Sequence, residues 1–356
     1  MTEAYSTTDT LTAGAGSGLG RLQKAAMAGD ISEHLDASKL ASIGADVVRD
    51  WHMDKDGNKE WRERAEKALA SAAQEAPPEK TTPFPRGSSN VQYPLLTISA
   101  LAFQSRAAPA IMKGDEAVKV KTFGRDANGK KAARAKRMAE YMNWKLFYDI
   151  DGWEQDTDAM LLKLPAVGQH YRKVYWDFET KKPCIESISA LHLTIPCDAR
   201  TLKSSPRITH DFTRYPYELR RMMAAGAYRE VDLIPTGEDD QAARVILEQH
   251  RMMDLDGDDI EEPYVVTVDE QTAEVLRIEE AFGDEDITED DAGNILRIDR
   301  WCPFVDYQFI PDPRGRAYAI GFGYLLTPMM NVINTIINME LDAGHAQVAG
   351  GGFVAA

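Results

Sequence analysis

The sequence predicts an α+β fold, in which a helical arm precedes a domain of mixed helices and antiparallel strands with a long helix near its C-terminal end. Helical periodicity dominates both ends of the chain, and short segments of alternating apolar and polar residues fill the middle. These strands do not alternate regularly with helices, which disfavours a parallel βαβ sheet. With 356 residues, 44% of them apolar and 28% charged, the chain is long enough for roughly two domains.

Composition divides the chain into three segments. Residues 1–30 are rich in Gly, Ser and Thr and lack periodicity, which predicts a disordered tail. Residues 31–86 are predicted to be a helical arm with a turn at 54–58, ending in a linker that contains four prolines. Residues 87–356 are predicted to form the main α+β domain, which includes a strongly acidic segment at 236–300.

The first half of the main domain alternates between helical and strand patterns. The predicted order is a helix ending near 113, a strand at 116–123, helices at 130–147 and 151–164, strands at 167–178, 184–196 and 207–213, and a helix at 217–225. The helix at 130–147 is amphipathic, with Met138, Met142 and Leu146 on its inner side. Asp151 is expected to cap the next helix and Pro165 to stop it.

The second half contains further strands and a final helix. The predicted elements are a helix at 242–253, a hairpin made by 264–268 and 274–279, and strands at 295–304 and 307–310. The final helix has the clearest boundary signals. Thr327 is expected to cap it, Pro328 to occupy its first position and Gly344 to end it.

The net charge of −16 is concentrated in one part of the chain. Residues 236–300 hold 22 Asp and Glu against 5 Lys and Arg, and the remainder is nearly neutral. Because contacts to DNA phosphates need clustered Lys and Arg, this composition disfavours a protein that grips DNA. We interpret the acidic segment as a solvated, outward-facing region. Such acidity also suits a conduit through which DNA passes without being held.

No pattern of an enzyme or a cofactor site stands out. The three cysteines, Cys184, Cys197 and Cys302, form no C-x-x-C pair, which indicates reduced thiols. The glycines at 14–20 lack the strand and the Lys-Ser/Thr pair of a phosphate loop. The Asp-rich turns at 54–58 and 254–258 lack the glycine and glutamate positions of a calcium loop. We predict no catalytic residue, no metal ligand, no cofactor and no membrane-spanning segment.

The histidines leave one alternative open. None of the seven forms a pair at helical ligand spacing. His170, His192 and His210 lie near predicted strands, where they could converge with Cys184 or Cys197 in a metal-dependent hydrolase. A structural role for each is the simpler interpretation.

A basic patch lies on the predicted helix at 130–147. It consists of Lys130, Lys131, Arg134 and Arg137. Such a patch can contact DNA phosphates or an acidic partner surface. No aromatic residue is interleaved with these four, so a solvated helix face is the alternative.

A polar stripe lies on the predicted final helix. Its members are spaced three or four residues apart: Asn331, Asn334, Asn338, Asp342 and His345. The opposite side is apolar: Met329, Val332, Ile333, Ile336 and Ile337. Asn is a poor helix former, so three on one face cost of order 1 kcal/mol relative to better helix formers. We therefore predict that the stripe makes specific hydrogen bonds to a neighbouring subunit or element. Plain exposure to solvent is the alternative.

The same part of the chain resembles a known family. Residues 310–326 read IPDPRGRAYAIGFGYLL, and they are followed by the asparagines of the stripe, by DAG at 342–344 and by GGGF at 350–353. This run resembles the portal proteins, or head-to-tail connectors, of tailed double-stranded DNA bacteriophages. The sequences YPLL at 93–96 and FQSRA at 103–107, and residues 188–228, are similar to the same family. The resemblance therefore covers residues 93–353.

The resemblance implies a portal-type wing module in a ring of about twelve copies with cyclic symmetry. Such a ring sits at one capsid vertex of the virion, having been assembled in the host cytoplasm, and DNA is packaged and ejected through it. The implied partners are further copies of the chain, the major capsid and scaffolding proteins, the large terminase subunit, the head-tail adaptor and DNA bound without sequence specificity.

The resemblance implies no catalytic residue, and it places the stem, clip and crown of the family beyond residue 356. Two alternatives remain open. One is another head-tail connector or internal capsid protein, and the other, of a different class, is the metal-dependent hydrolase.

Overall fold

The computed structural model describes residues 29–75, 88–114, 116–177, 181–234, 241–255, 257, 260–289 and 295–348. Helices and antiparallel sheets are mixed within them, which confirms the predicted α+β class. The predicted linker at 76–86 lies outside the described residues, as does the predicted tail except for Gly29 and Asp30.

The chain packs as two compact units. Unit 1 comprises Met1–Asp50 and Asp211–Trp301, and unit 2 comprises Trp51–His210 and Cys302–Ala356. These boundaries differ from those of the three segments predicted from composition. The helical arm contributes to both units, and the acidic segment belongs to unit 1.

Helices and strands are numbered in chain order. The α-helices are α1 Ala37–Gly57, α2 Lys59–Ala72, α3 Leu95–Ile111, α4 Lys130–Trp144, α5 Trp153–Val167, α6 Pro216–Ala224 and α7 Phe322–Val348. The strands are β1 Gln169–Asp177, β2 Lys182–Ser189, β3 Leu193–Thr194, β4 Arg207–Arg214, β5 Arg244–Met253, β6 Glu262–Asp269, β7 Val275–Glu280, β8 Ile287–Glu289, β9 Ile295–Ile298 and β10 Phe304–Gln308.

Unit 1 is built on an antiparallel meander of β5, β6 and β7. Every residue of β6, its central strand, is buried. Leu219, Ile246 and Leu276 form the apolar cluster of this unit. The pairing of β6 with β7 confirms the predicted hairpin.

Unit 2 combines a three-stranded antiparallel sheet of order β10-β1-β2 with a helical layer. Helices α3, α5 and α7 pack against one another, and α2 packs against all three. The main apolar cluster includes Tyr171, Leu193 and Ile208, which are fully buried. Leu193 and Thr194 of β3 pair with His210 and Thr209 of β4.

The predicted helix at 242–253 is wrong, because this segment is strand β5. Its Ala, Glu and Gln residues favour a helix locally. Ile246 to Met253 nevertheless pair with Asp269 to Glu262 of β6, and this pairing buries Ile246 and Leu247 completely. Tertiary pairing overrides the local preference.

The predicted strand at 116–123 is also wrong. Apart from an isolated bridge between Lys113 and Glu116, the described residues of this segment pair with no strand. Instead the side chain of Asn143 in α4 bonds the backbone of Val118. Val118 N donates to Asn143 Oδ1 at 2.8 Å, and Asn143 Nδ2 donates to Val118 O at 3.0 Å.

Two helix boundaries differ from the prediction around α5. The residue before the helix is Gly152, with positive φ, and Asp151 does not cap it. The helix also continues through Pro165 to Val167. Proline cannot donate a backbone hydrogen bond within a helix. Pro165 lies in the last turn of α5, where its side chain is buried.

Helix α7 begins six residues earlier than predicted, at Phe322 instead of Pro328, and continues past Gly344 to Val348. Pro328 therefore lies inside the helix. Thr327 does not cap it, because its hydroxyl donates to the carbonyl oxygen of Gly323 within the helix.

The inner stripe predicted for α4 is wrong for two of its three members. Met138 and Met142 are exposed, and only Leu146, in the π-helical turn after α4, is half-buried. Ala135 is the one buried residue among those of α4.

Candidate interaction surface

Helix α7 turns its polar stripe toward another part of the same chain. Residues 89–93 run antiparallel to the helix, and every second backbone N–H donates to a side-chain oxygen of the polar stripe. The N···O distances are 2.7–2.8 Å: Tyr93 to Asn334, Val91 to Asn338 and Ser89 to Asp342. Two residues of an extended chain advance about 6.6 Å and four residues of a helix about 6 Å, so the two repeats match.

Asn338 is the central residue of this contact and is 5% exposed. Its Oδ1 accepts from Val91 N. Its Nδ2 donates to Val91 O at 3.0 Å and to Asn334 O at 2.7 Å. The side-chain amide thus bonds both backbone groups of one residue, as a neighbouring β-strand would. The side chain of Asn143 likewise bonds both backbone groups of Val118. Both asparagines fix a segment that has no strand partner among the described residues.

The two end members of the stripe differ from the central three. Asn331 and His345 are exposed, and their side chains form no hydrogen bond within the described part of the chain. The structure therefore brings Asn334, Asn338 and Asp342 together with an element of the same chain. Contact with a neighbouring subunit stays a prediction.

The apolar side of α7 faces outward. Five of its side chains are 49–66% exposed: Leu325, Met329, Val332, Ile336 and Met339. They are spaced four, three, four and three residues apart, which is the repeat by which one helix packs along another. Leu325 and Met339 were missed from the sequence, although the heptad spacing could have shown them. We refer to these five residues as the α7 stripe.

The run at 310–326 connects β10 to α7 and is held by backbone contacts. Tyr318 is buried; its hydroxyl accepts from Ile195 N at 3.1 Å and donates to Ile195 O at 3.0 Å. Burial raises the pKa of this phenol above its usual value. Gly321 lies directly against the backbone of Val167 and Gly168, where a Cβ would not fit. Tyr318 and Gly321 therefore have structural reasons to be present in this run.

A cavity of about 660 Å³ in unit 2 adjoins this run and α2. Trp61 and Tyr324 supply aromatic surface, and Arg64 lies over the ring of Tyr324 at 4.9 Å. Arg314 pairs with Asp312 at 3.0 Å and lowers the pKa of that carboxyl. Cys197 is the one thiol in the lining. Among the lining residues no histidine accompanies that thiol as a base.

The predicted basic patch is exposed on α4. Lys130, Lys131, Arg134 and Arg137 all face solvent. Aromatic side chains are exposed on α4, at Tyr141 and Trp144, and on the segments before and after it, at Phe123 and Tyr148. The proximity of Phe123 to the basic patch could not be predicted from the sequence, because it depends on the fold: Lys131 Nζ lies 3.5 Å from Phe123 O.

The histidines considered as metal ligands contact other kinds of side chain. His170 Nε2 is 2.6 Å from Ser187 Oγ, and the ring of His210 packs edge-on against Phe304. Within the described ranges, no three His, Cys, Asp or Glu side chains are arranged to hold a metal ion.

Compared with protein-family models and with curated proteins, the chain matches none. In the part of the chain that the structure covers, no helix combines the length and the apolar character needed to cross a membrane.

Proposed function

We propose that this chain is a subunit of the portal ring of a tailed double-stranded DNA bacteriophage. Copies of the chain surround a channel at one capsid vertex, through which DNA is packaged and later ejected. The ring is also the platform for the packaging motor and then for the tail adaptor. In this role the chain binds and positions other molecules and catalyses no reaction.

The observation that carries the proposal is the run at 310–326 followed by the asparagine-bearing helix, which resembles portal proteins. The α7 stripe adds independent support. Apolar side chains at heptad spacing, half-exposed or more in a single chain, are typical of a surface that another polypeptide covers.

The charge of the chain supports a conduit. At −16 overall, the protein repels phosphate at long range, so DNA can slide past it without being held. The implied partners are proteins: other copies of the chain, the major capsid and scaffolding proteins, the large terminase subunit and the head-tail adaptor. Assembly takes place in the host cytoplasm and the product is part of the virion.

Negative-stain electron microscopy of the protein expressed from its complete reading frame tests the proposal. We expect uniform rings of about a dozen subunits with a central hole. Compact monomers or dimers would contradict it and favour another head-tail or internal capsid protein. Metal retained at one equivalent per chain after purification would favour the hydrolase instead.

A further inference from the structure

The two units carry opposite net charges. Unit 1 contains 33 Asp and Glu against 13 Lys and Arg, a balance of −20. Unit 2 contains 24 Asp and Glu against 28 Lys and Arg, a balance of +4. The acidity of the protein is therefore a property of one unit, and the other is weakly basic.

The positive charge of unit 2 is concentrated around α4. Residues 113–137 contain nine Lys and Arg against three Asp and Glu. All nine cationic residues are exposed: Lys113, Lys119, Lys121, Arg125, Lys130, Lys131, Arg134, Lys136 and Arg137. Of these, Lys136 alone lies within 4 Å of a described carboxylate, that of Glu140 at 3.8 Å. We refer to these nine residues as the α4 basic face.

The fold holds this face in a defined shape. Asn143 fixes Val118 through the two hydrogen bonds described above, and Asp126 Oδ2 accepts from Ala132 N at 2.9 Å. The residues before α4 are thereby tied to the helix. Apolar groups accompany the cations, since Phe123 is 84% exposed and Tyr141 and Trp144 about half. A partner that fits must be acidic and must carry exposed apolar side chains.

Unit 1 has both properties. Glu261 is exposed beside Ile260, and Asp299 is exposed close to Leu296 and Trp301, whose side chains are also exposed. We propose that the α4 basic face binds unit 1 of a second copy of this chain. The inference deepens the proposed function, because it rests on the ring and assigns the surfaces by which neighbouring subunits meet.

Charge decides the geometry of that contact. Two copies of unit 1 repel each other, as do two basic faces, so a symmetric pair that joins like surfaces is disfavoured. Unlike surfaces attract, which gives a head-to-tail contact, and such contacts generate rings when the rotation between copies closes. Duplex DNA is a poorer occupant, because a chain that carries a unit of −20 repels phosphate.

Charge reversal tests the inference in the full chain. One variant carries Lys130→Glu, Lys131→Glu, Arg134→Glu and Arg137→Glu. The control carries the same change in net charge at four other exposed positions of unit 2: Lys59→Glu, Lys67→Glu, Arg200→Glu and Lys203→Glu. Sedimentation velocity at 50 and 500 mM NaCl measures association, and circular dichroism verifies that both variants are folded.

We expect the wild type and the control to associate at low salt and at least tenfold more weakly at high salt, because screening weakens charge pairs. The α4 variant is expected to lose association at least tenfold at low salt. Association of the α4 variant equal to that of the wild type would overturn the inference.

A second variant identifies the opposing surface. It carries Glu261→Lys, Glu285→Lys and Asp299→Lys, all at exposed positions of unit 1. Neither this variant nor the α4 variant is expected to associate alone, whereas their mixture is expected to regain association. A mixture that stays dissociated would count against unit 1 as the partner. Loss of duplex DNA binding in the α4 variant with unchanged self-association would assign the face to DNA.

The two proposals fail separately. Rings that persist in the α4 variant would leave the portal proposal standing and remove this inference. Salt-sensitive pairing that never closes into rings would support this inference and contradict the portal proposal. Wild-type protein that is monomeric at both salt concentrations would contradict both.

Discussion

Asn338 carries most of the contact between α7 and residues 89–93, because its amide bonds both backbone groups of Val91 and is almost completely buried. We predict that Asn338→Ala lowers the free energy of unfolding by about 1–3 kcal/mol. Asn331→Ala gains the same helix propensity but loses no hydrogen bond within the described residues, so its effect should stay within about 0.5 kcal/mol.

Amide hydrogen exchange distinguishes this effect from general destabilisation. In Asn338→Ala the N–H of Val91 should exchange faster relative to amides in the sheet of unit 2. Equal stability of the two alanine variants, with unchanged exchange at Val91, would show that the contact contributes nothing.

His170 makes the stability of unit 2 depend on pH. Burial, with further contributions from the positive charges of Lys163 and Arg172, lowers its pKa to about 4. In the unfolded chain the imidazole titrates near its ordinary pKa, about 6.5. Between these values the unfolded state binds the proton and the folded state does not, so stability falls as pH falls from about 6.5 to 4, by about 3 kcal/mol at most.

Urea unfolding at a series of pH values measures this dependence. His170→Gln should lose less stability than the wild type between pH 6.5 and 4. His345→Gln, at an exposed position, serves as the control and should follow the wild type. An unchanged pH profile in His170→Gln would contradict the assignment.

Part of the contact made by the polar stripe of α7 could be predicted from the sequence. Asn is costly inside a helix, so the presence of three on one face predicted that they have partners. Asn334 and Asn338 bond the backbone of residues 91–93, whereas the side chain of Asn331 forms no hydrogen bond within the described residues. The partner itself, residues 89–93, could not be found, because it lies some 240 residues away and carries no periodic pattern of its own. Backbone groups, which are the same in every residue, leave no trace in the sequence.

Substitutions at two adjacent methionines of α7 test which side of this helix is buried. Met329 is 58% exposed, whereas Met330 is 5% exposed and packs with Ala68 and Leu96. We predict that Met330→Ala lowers the free energy of unfolding of a single chain by about 2–5 kcal/mol, and Met329→Ala by less than about 0.5 kcal/mol. Chemical denaturation at low protein concentration provides both values. A larger loss at Met329 would reverse the orientation of α7.

Two glycines test how α7 is joined to α5. At Gly321 a Cβ would overlap backbone atoms of Val167 and Gly168, which cannot move independently of α5. Gly321→Ala should therefore destabilise unit 2 by roughly 1–3 kcal/mol. At Gly344 the space is open and the residue lies inside α7, so Gly344→Ala should stabilise the helix by up to about 1 kcal/mol. Thermal unfolding of both variants shows the sign, and a stable Gly321→Ala would refute the close contact.

At the scale of elements, patterns of period two and 3.6 located the hairpin of β6 and β7 and the helices α3 and α4, but boundaries depended on contacts. The pair Thr327-Pro328 has the form of a helix start. In the fold the hydroxyl of Thr327 bonds Gly323, and the helix is already under way. The orientation of α4 was missed for a similar reason. An apolar stripe shows that a face is to be covered, and it does not show whether the same chain covers it.

At the scale of the whole molecule, the separation of charge is the feature that most constrains assembly. The acidic segment at 236–300 is visible in the sequence. That it belongs to one unit with residues 1–50 depends on long-range packing, which composition does not encode. The same packing leaves unit 2 with a positive balance and an open apolar helix.

The mass of the particles formed by the protein expressed from its complete reading frame tests the central claim most directly. Mass photometry at physiological salt and at several concentrations gives the number of subunits in each particle. The portal proposal predicts one dominant species of about twelve subunits. A mass of one or two subunits at every concentration would contradict it.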